Sequence, residues 1–214
     1  MQLGNEPLSA DTLAEHALPR ILNAPGNRKL IAIAGPPGSG KSTVSERLCA
    51  GLRAQGRSAD VVPMDGFHLD NRVLEPRGLL PRKGAPDSFD AAGFAAIVAR
   101  IARGEDVVFP VFDRSRDIAI AGAGFLPASV EFVLFEGNYL LLRDAPWAEL
   151  AAHWGYTVMI DPGQQVLASR LLQRWLEAGL PEAQARAKCD LNDLPNAVLT
   201  RDRSRPADLT LGGS

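Results

Sequence analysis

Residues 30–44, LIAIAGPPGSGKSTV, hold the densest chemistry in the chain. An apolar run leads into Gly35, Pro36, Pro37, Gly38, Ser39, Gly40, Lys41, Ser42 and Thr43, and a helical pattern follows. The spacing G-x-x-x-x-G-K-S between a strand and a helix is that of a phosphate-binding loop. Glycines at 35, 38 and 40 permit positive φ and leave no Cβ in the way, so successive N–H groups can turn inward around an anion. The helix behind them aims its unpaired amides and the positive end of its dipole at the same point. Lys41 adds a movable charge for β- and γ-phosphates, and Ser42 a hydroxyl for Mg²⁺. A plain glycine turn is the simpler alternative, but it leaves four fixed positions to coincidence.

Further reactive residues fall at the ends of other apolar runs. The strand expected over 59–64 delivers Asp65, Gly66, Phe67 and His68. With the preceding strand and helix it makes a βαβ unit with a right-handed crossover, and ligands of such sheets gather beyond the carboxyl ends of the strands. Asp65 therefore belongs to the edge that carries the glycine loop, although Asp65-Gly66 could also be a turn. His68 suits substrate contact or packing equally. The run 132–135 closes in Glu136-Gly137-Asn138, the form of a Walker B element with Glu where an Asp usually holds the metal water. Glu136 is thus an acid for the metal or for the substrate.

Two basic groupings complete the set. Arg170 and Arg174 stand four apart on a helix expected over 164–178. Like charges at that spacing cost a few tenths of a kcal/mol unless an anion compensates, and a transferring phosphate or plain solvation would serve. Arg82 and Lys83 lie in the proline-rich stretch 69–89, and Asp113-Arg114-Ser115-Arg116-Asp117 ends the apolar run 107–112. Two polar segments converging on one sheet edge place an acceptor pocket among Arg82, Lys83, Asp113 and Arg116, with a surface ion-pair cluster as the alternative.

The elements that must position these residues follow from periodicity. A helix over 9–23 is capped by Ser9 or Asp11, a strand over 30–34 is apolar throughout, and a helix from about Ser42 to Gln55 stops at Gly56. Asp90 caps a helix that Gly104 closes. A third strand spans 107–112, a small-residue turn 122–129, and further strands 132–135, 156–160 and 208–211, with a helix from Pro181 towards Asp193. The 214 residues make one domain, 1–214, with a lid helix at about 163–179.

Composition narrows the class. Apolar residues at 46% and charged residues at 22% are ordinary globular values, and the net charge of −2 gives no general reason to bind nucleic acid or an acidic membrane. Cys49 and Cys189 have neither metal-ligand spacing nor the density of a disulfide framework. The first residues lack the basic segment and apolar core of a signal peptide, and no apolar run approaches spanning length. A soluble cytoplasmic protein without membrane insertion is expected, with self-association as a homodimer left open.

Taken together, GPPGSGKST, MDGFH, RKGAPDSFD, FPVFDRSRD, FEGNY, the RLLQRW helix, NDLPN and the closing ADLTL resemble the phosphoribulokinase, uridine kinase and pantothenate kinase superfamily of P-loop kinases over nearly the whole chain. Within it the chain is similar to bacterial proteins described as fructose-transport-system kinases or nucleoside kinase-like proteins. The resemblance implies a three-layer α/β/α P-loop NTPase fold with a five-stranded parallel core sheet, and ATP with Mg²⁺ as co-substrates. It further implies γ-phosphoryl transfer to a small-molecule hydroxyl acceptor. Asp65 becomes the base, Glu136 a metal-site or substrate-site acid, and Arg170 and Arg174 lid cations. After Pro110 the His and Arg that grip ribose in uridine kinases are replaced by DRSRD, so a sugar is favoured over a nucleoside or pantothenate. A regulatory GTPase would carry N-K-x-D and a transporter ATPase LSGGQ; the sequence has neither.

Overall fold

The structure is a computed structural model that describes residues 9–212, so the first eight residues, read above for a leader, lie outside it. The elements in order are α1 (Ala10–Leu22), β1 (Lys29–Ala34), α2 (Lys41–Ala54), β2 (Ala59–Pro63), α3 (Asn71–Leu74), α4 (Ala91–Ala102), β3 (Val107–Asp113), β4 (Ile118–Leu126), β5 (Phe132–Gly137), β6 (Tyr156–Ile160), α5 (Gln164–Glu177), α6 (Glu182–Lys188), α7 (Leu194–Arg203) and β7 (Leu209–Leu211). Five strands form one parallel sheet in the order β2-β5-β1-β6-β7. Among the described residues no helix is long and apolar enough to cross a membrane.

The continuous apolar runs conceal a period of two. Ile31 and Ile33 of β1, with Phe132 and Leu134 of β5, face α1 and α2, where Ala17, Ile21, Val44, Leu48 and Leu52 close the layer. Ala32, Ala34, Val133 and Phe135 turn to the other face, against Phe94 and Val98 of α4 and the segment from Tyr139 to Leu150. Alternate side chains of a strand point to opposite faces, so a strand covered on both sides must be apolar at every position. Caps fix the helix starts: Ser9 accepts from the Thr12 amide and Asp90 from the Gly93 amide.

Three elements differ from the sequence reading. The strand at 107–113 does not join the sheet but pairs antiparallel with β4, which runs through the stretch expected to be a small-residue turn. Alanine and glycine in IAIAGAGFL carry little β signal, and the ribbon's irregularity falls at Pro110, which has no N–H to give. The helix expected from Pro181 to Asp193 ends at Lys188, passes through a π-turn over Cys189–Asp193 and restarts as α7. Pro195 resembles a helix stop, yet it sits in the first turn of α7, where no N–H is needed. The stretch 69–89, expected to be irregular, is a chain of short turns, and Pro76, Pro81 and Pro86 each open one.

Arg28, ahead of β1, ties the layers at the end of the sheet away from the glycine loop. Its guanidinium donates to the carbonyls of Val130 at 3.1 Å, Ile101 at 3.0 Å, Glu105 at 3.1 Å and Pro127 at 2.8 Å. It thereby joins the C-terminus of α4 to the connection between β4 and β5. Arg28→Met keeps the stem and strands those carbonyls, which should cost roughly 2–3 kcal/mol. Thermal melts should show Tm lower by about 5–10 °C; an unchanged Tm would show the carbonyls are as well served by water.

Candidate active site

The glycine loop crosses the carboxyl edge of the central strand, between the ends of β5 and β6. Gly38 and Gly40 take φ of 79° and 88°, which an L-residue adopts only under strain. Gly35 differs from the expectation of positive φ. It is needed for close approach, because a Cβ there would stand 2.6 Å from both the Ile160 carbonyl and Ser39 Oγ. The Ser39 amide closes the turn on the Pro36 carbonyl at 3.1 Å. Pro36 and Pro37 are buried, and Thr43 is exposed.

Lys41 begins α2 and is half-buried. Among the described residues it makes no ion pair. Its pKa is pulled down chiefly by burial, against the opposing pull of Glu136 and Asp65. Ser39 Oγ is likewise buried with no hydrogen-bond partner. The unpaired ammonium of Lys41 and the first amides of a 14-residue helix belong to the same turn of chain. That is a donor set for a polyphosphate.

Two carboxylates reach the same edge from neighbouring strands. Pro63 of β2 is paired with Glu136 of β5, so Asp65, in the turn Met64–Phe67, emerges beside it. Ser42 Oγ donates to Glu136 Oε2 at 3.1 Å. Burial raises the Glu136 pKa, while the Lys41 charge opposes the rise. A cavity of about 300 Å³ lies against Ser42 and Glu136, with Phe109 and Val111 of the β3–β4 ribbon on its far wall. No group of three or more His, Cys, Asp or Glu converges among the described residues. A divalent ion held by Ser42 and Glu136 would take its remaining ligands from phosphate oxygens and water, as Mg²⁺ commonly does.

The helix α5 lies over the glycine loop, Leu171 packing where a Cβ on Gly38 would stand. The arginines expected to act together take different partners. Arg170 Nη1 donates to the carbonyls of Ser39 at 3.2 Å and Gly38 at 3.4 Å. Arg174 Nη2 donates to Asp193 Oδ1 at 3.2 Å, and the Trp175 indole holds Asp193 Oδ2 at 2.6 Å. Leu167 and Leu171 form a small cluster with Cys189 and Ala197, distinct from the two main cores.

On the acceptor side the structure disperses the expected group. Arg82 donates to the Leu191 carbonyl at 2.8 Å and to Asn196 Oδ1 at 3.3 Å. Lys83 Nζ donates to Asn71 Oδ1 at 2.8 Å and to Asp117 Oδ2 at 2.8 Å. Asp113 and Arg116 bond each other at 2.7 Å within the ribbon's turn. His68 is stacked between Phe89 and Phe112, centroids 4.0 and 4.5 Å away, and its Nδ1–H donates to the Asp65 carbonyl at 2.7 Å. The residue that does reach the catalytic edge is Arg114, whose Nη2 donates to Asp65 Oδ2 at 2.7 Å. It stands in the charged run 113–117, where nothing local singles it out. Asn138, two residues beyond Glu136, has its Oδ1 buried without a partner among the described residues.

A parallel sheet with a glycine loop on its central strand, and two acids on the adjoining strand ends, defines a P-loop nucleotide-binding domain. The sequence profile of the "Methylmalonyl Co-A mutase-associated GTPase MeaB" family matches residues 4–67, the part that holds the loop. The chain is 34% identical to the uncharacterised Escherichia coli (strain K12) protein YggC, over 86% of this chain and 78% of that one. It is 30% identical to a Schizosaccharomyces pombe protein provisionally described as a uridine kinase, over 86% and 83%. A crystal structure from Silicibacter sp. TM1040, provisionally described as a fructose transport system kinase, superposes with a TM-score of 0.87 at 47% identity, covering 95% of this chain and 99% of that one. The chain belongs to the phosphoribulokinase, uridine kinase and pantothenate kinase superfamily of P-loop kinases.

The half-buried His68 ring gives the site a pH signature. Burial holds its pKa below the ordinary 6.5, against the pull of Asp65. As pH falls below 6.5 the unfolded chain takes up a proton that the folded ring refuses, so stability is full above that value and drains away below it. His68→Phe keeps the ring stack and removes the titration. Melts from pH 8 to 5 should show the parent losing Tm faster than the variant on the acid side; parallel curves would assign the acid loss elsewhere.

Proposed function

We propose that this P-loop kinase transfers the γ-phosphoryl group of ATP to a hydroxyl of a small polyhydroxylated, sugar-type acceptor. The observation that carries the reading is Lys41: among the described residues a half-buried cation with no ion-pair partner, at the start of the helix that follows the glycine loop. Structural lysines are paired or solvated, so a site of this kind suits an anion that comes and goes. The sugar-type acceptor is favoured by the absence, after Pro110, of the ribose-gripping His and Arg of uridine kinases.

In this reading the glycine loop and Lys41 hold the β- and γ-phosphates, and Arg170 reaches the same loop from α5. Ser42 and Glu136 are the residues that would hold Mg²⁺, which when bound neutralises charge on the phosphate oxygens. Asp65 accepts the proton that the acceptor hydroxyl loses as its oxygen bonds the γ-phosphorus. The bond from that phosphorus to the bridging oxygen breaks, and ADP departs with the electron pair. Asn is nearly isosteric with Asp but cannot take the proton. Asp65→Asn should therefore keep ATP affinity and lose acceptor phosphorylation by roughly 10²-fold or more. Lys41→Ala should lose turnover with a smaller loss of ATP affinity. Unchanged turnover in Lys41→Ala would remove the basis of the kinase reading, whereas unchanged turnover in Asp65→Asn would move the base to Glu136.

The satellite core under α5 favours a lid. A helix whose buried side chains form a small cluster of their own can part from the rest at low cost. Arg170 and Arg174 would then engage the transferring group only when the lid is closed, excluding water. Hydrogen exchange over 164–177 should slow when a non-hydrolysable ATP analogue is added. Equal exchange with and without the analogue would make α5 a fixed wall.

A further inference from the structure

We propose that Arg114, held beside Asp65 by one hydrogen bond, recognises an anionic group, carboxylate or phosphate, on the acceptor. The inference rests on the kinase reading above and deepens it: the acceptor is an acidic polyol, such as a sugar acid or a sugar phosphate.

The argument begins in the turn between β3 and β4. Asp113 Oδ1 takes the amides of Ser115 at 2.9 Å and Arg116 at 3.2 Å and the Ser115 hydroxyl at 2.6 Å, while its Oδ2 takes Arg116 Nε. These bonds hold the Asp113 pKa down at about 2. Asp117, at a φ of 55°, gives its carbonyl and carboxylate to Lys83. The turn is thus braced from inside and from the 69–89 segment. Its one charge spent outside this bracing is Arg114, whose guanidinium crosses to Asp65.

Arg114 differs from Arg28 in how much of its fork is used, and from the other exposed arginines in standing beside Asp65. Arg28 fills its fork with four carbonyls. Arg114 makes one bond, through one nitrogen, and its side chain is 66% exposed. A guanidinium has five donors arranged to grip a carboxylate or phosphate by two oxygens. Among the described residues the other four donors have no protein partner, and they belong to a guanidinium next to the carboxylate assigned as base.

The contact also sets a condition on the acceptor. The guanidinium at 2.7 Å takes one lone pair of Asp65 Oδ2, and a carboxylate has about four, so Asp65 can accept a hydroxyl proton with the contact intact. The contact therefore holds the open donors of the fork beside the acceptor hydroxyl. A neutral acceptor leaves those donors to water. An acceptor with its own anionic group fills them, and a two-oxygen grip sets its hydroxyl towards Asp65.

The test uses the full chain and three pairs of compounds: glycerate with glycerol, fructose 6-phosphate with fructose, and pantothenate with pantothenol. The acid of at least one pair should stimulate ADP release with kcat/KM at least about 10-fold above its neutral counterpart, the low end for one charge-assisted contact. Whether that acid is a carboxylate or a phosphate identifies the group read. Arg114→Gln should raise the KM for that acid by roughly 10- to 100-fold with ATP KM within about twofold, and Arg114→Lys should recover part of the loss. Neutral members that turn over as well as their acids, or an acid whose KM ignores Arg114→Gln, would overturn the proposal and leave the kinase standing. Calorimetry with the same acids and no ATP reads recognition without turnover. Acids that bind the parent at least about 10-fold more tightly than Arg114→Gln yet never release ADP would sustain the site and sink the kinase. No Arg114-dependent binding and no turnover with any acid would overturn the proposal.

Discussion

The structure depends on keeping one cation without a counter-ion. Lys41 sits where burial disfavours its charge, and two carboxylates lie close enough to pull against that effect. If either closed on the ammonium, a buried ion pair would fill the phosphate site, and every phosphate would have to break it. The fold prevents this by giving each acid a different partner. Glu136 is held by the Ser42 hydroxyl and Asp65 by Arg114. Strand order contributes as well. β5 lies between β1 and β2, so the acid that follows β2 starts two strand spacings, about 10 Å, from the loop's own strand.

That arrangement accounts for how the core is divided. The two large clusters on the sheet's faces hold β1, β2 and β5 at a common register, which fixes the loop, Glu136 and the turn of Asp65 relative to one another. The arginines that would meet a ligand are carried elsewhere. Arg170 and Arg174 ride on the satellite cluster, and Arg114 rides on a two-stranded ribbon outside the main sheet. The helix α5 is attached through its own small cluster, whereas the ribbon is rooted in the main core by Val107, Phe109 and Leu126 and carries only its exposed turn clear of it.

The same division explains what the sequence could tell. The glycine loop, the five parallel strands and the acids at their ends were legible because strand interiors and phosphate loops are local patterns: contiguous apolar runs, fixed spacing and a chemistry-bearing residue at the carboxyl end. The ribbon was half legible. Its first strand carries bulky β-formers, but the second is built of alanine and glycine, which read as a turn. The restart of the helix at Leu194 was hidden because a proline stops one helix and opens another with equal ease, and only packing decides. Partner choice was the least legible. Arg114 and Arg116 stand two residues apart in one run, and nothing local says that Asp113 will claim Arg116 while Arg114 is left to reach Asp65, 49 residues away in sequence.

Arginine usage carries the last step. Arg28, Arg114 and Arg170 are alike as letters, and each crosses between distant segments. Arg28 fills its fork with carbonyls and fastens layers. Arg170 makes two long bonds, at 3.2 and 3.4 Å, to loop carbonyls, which a phosphate oxygen would outcompete because a bond between two charges is shorter and about twice as strong. Arg114 makes one short bond to a carboxylate and leaves the rest of its fork open. Filled donors alone do not mark a ligand site, since Arg203 also makes one bond, to Asp144 at 2.6 Å, with its side chain 59% exposed; Arg114 is set apart by where its open fork stands, beside Asp65 at the edge that carries the glycine loop. By that measure the acceptor side of this site is read from the β3–β4 turn, outside the sheet that positions the phosphate loop. A shared glycine loop and sheet therefore do not specify the acceptor, since the segment that reads it can change while the phosphate machinery stays as it is.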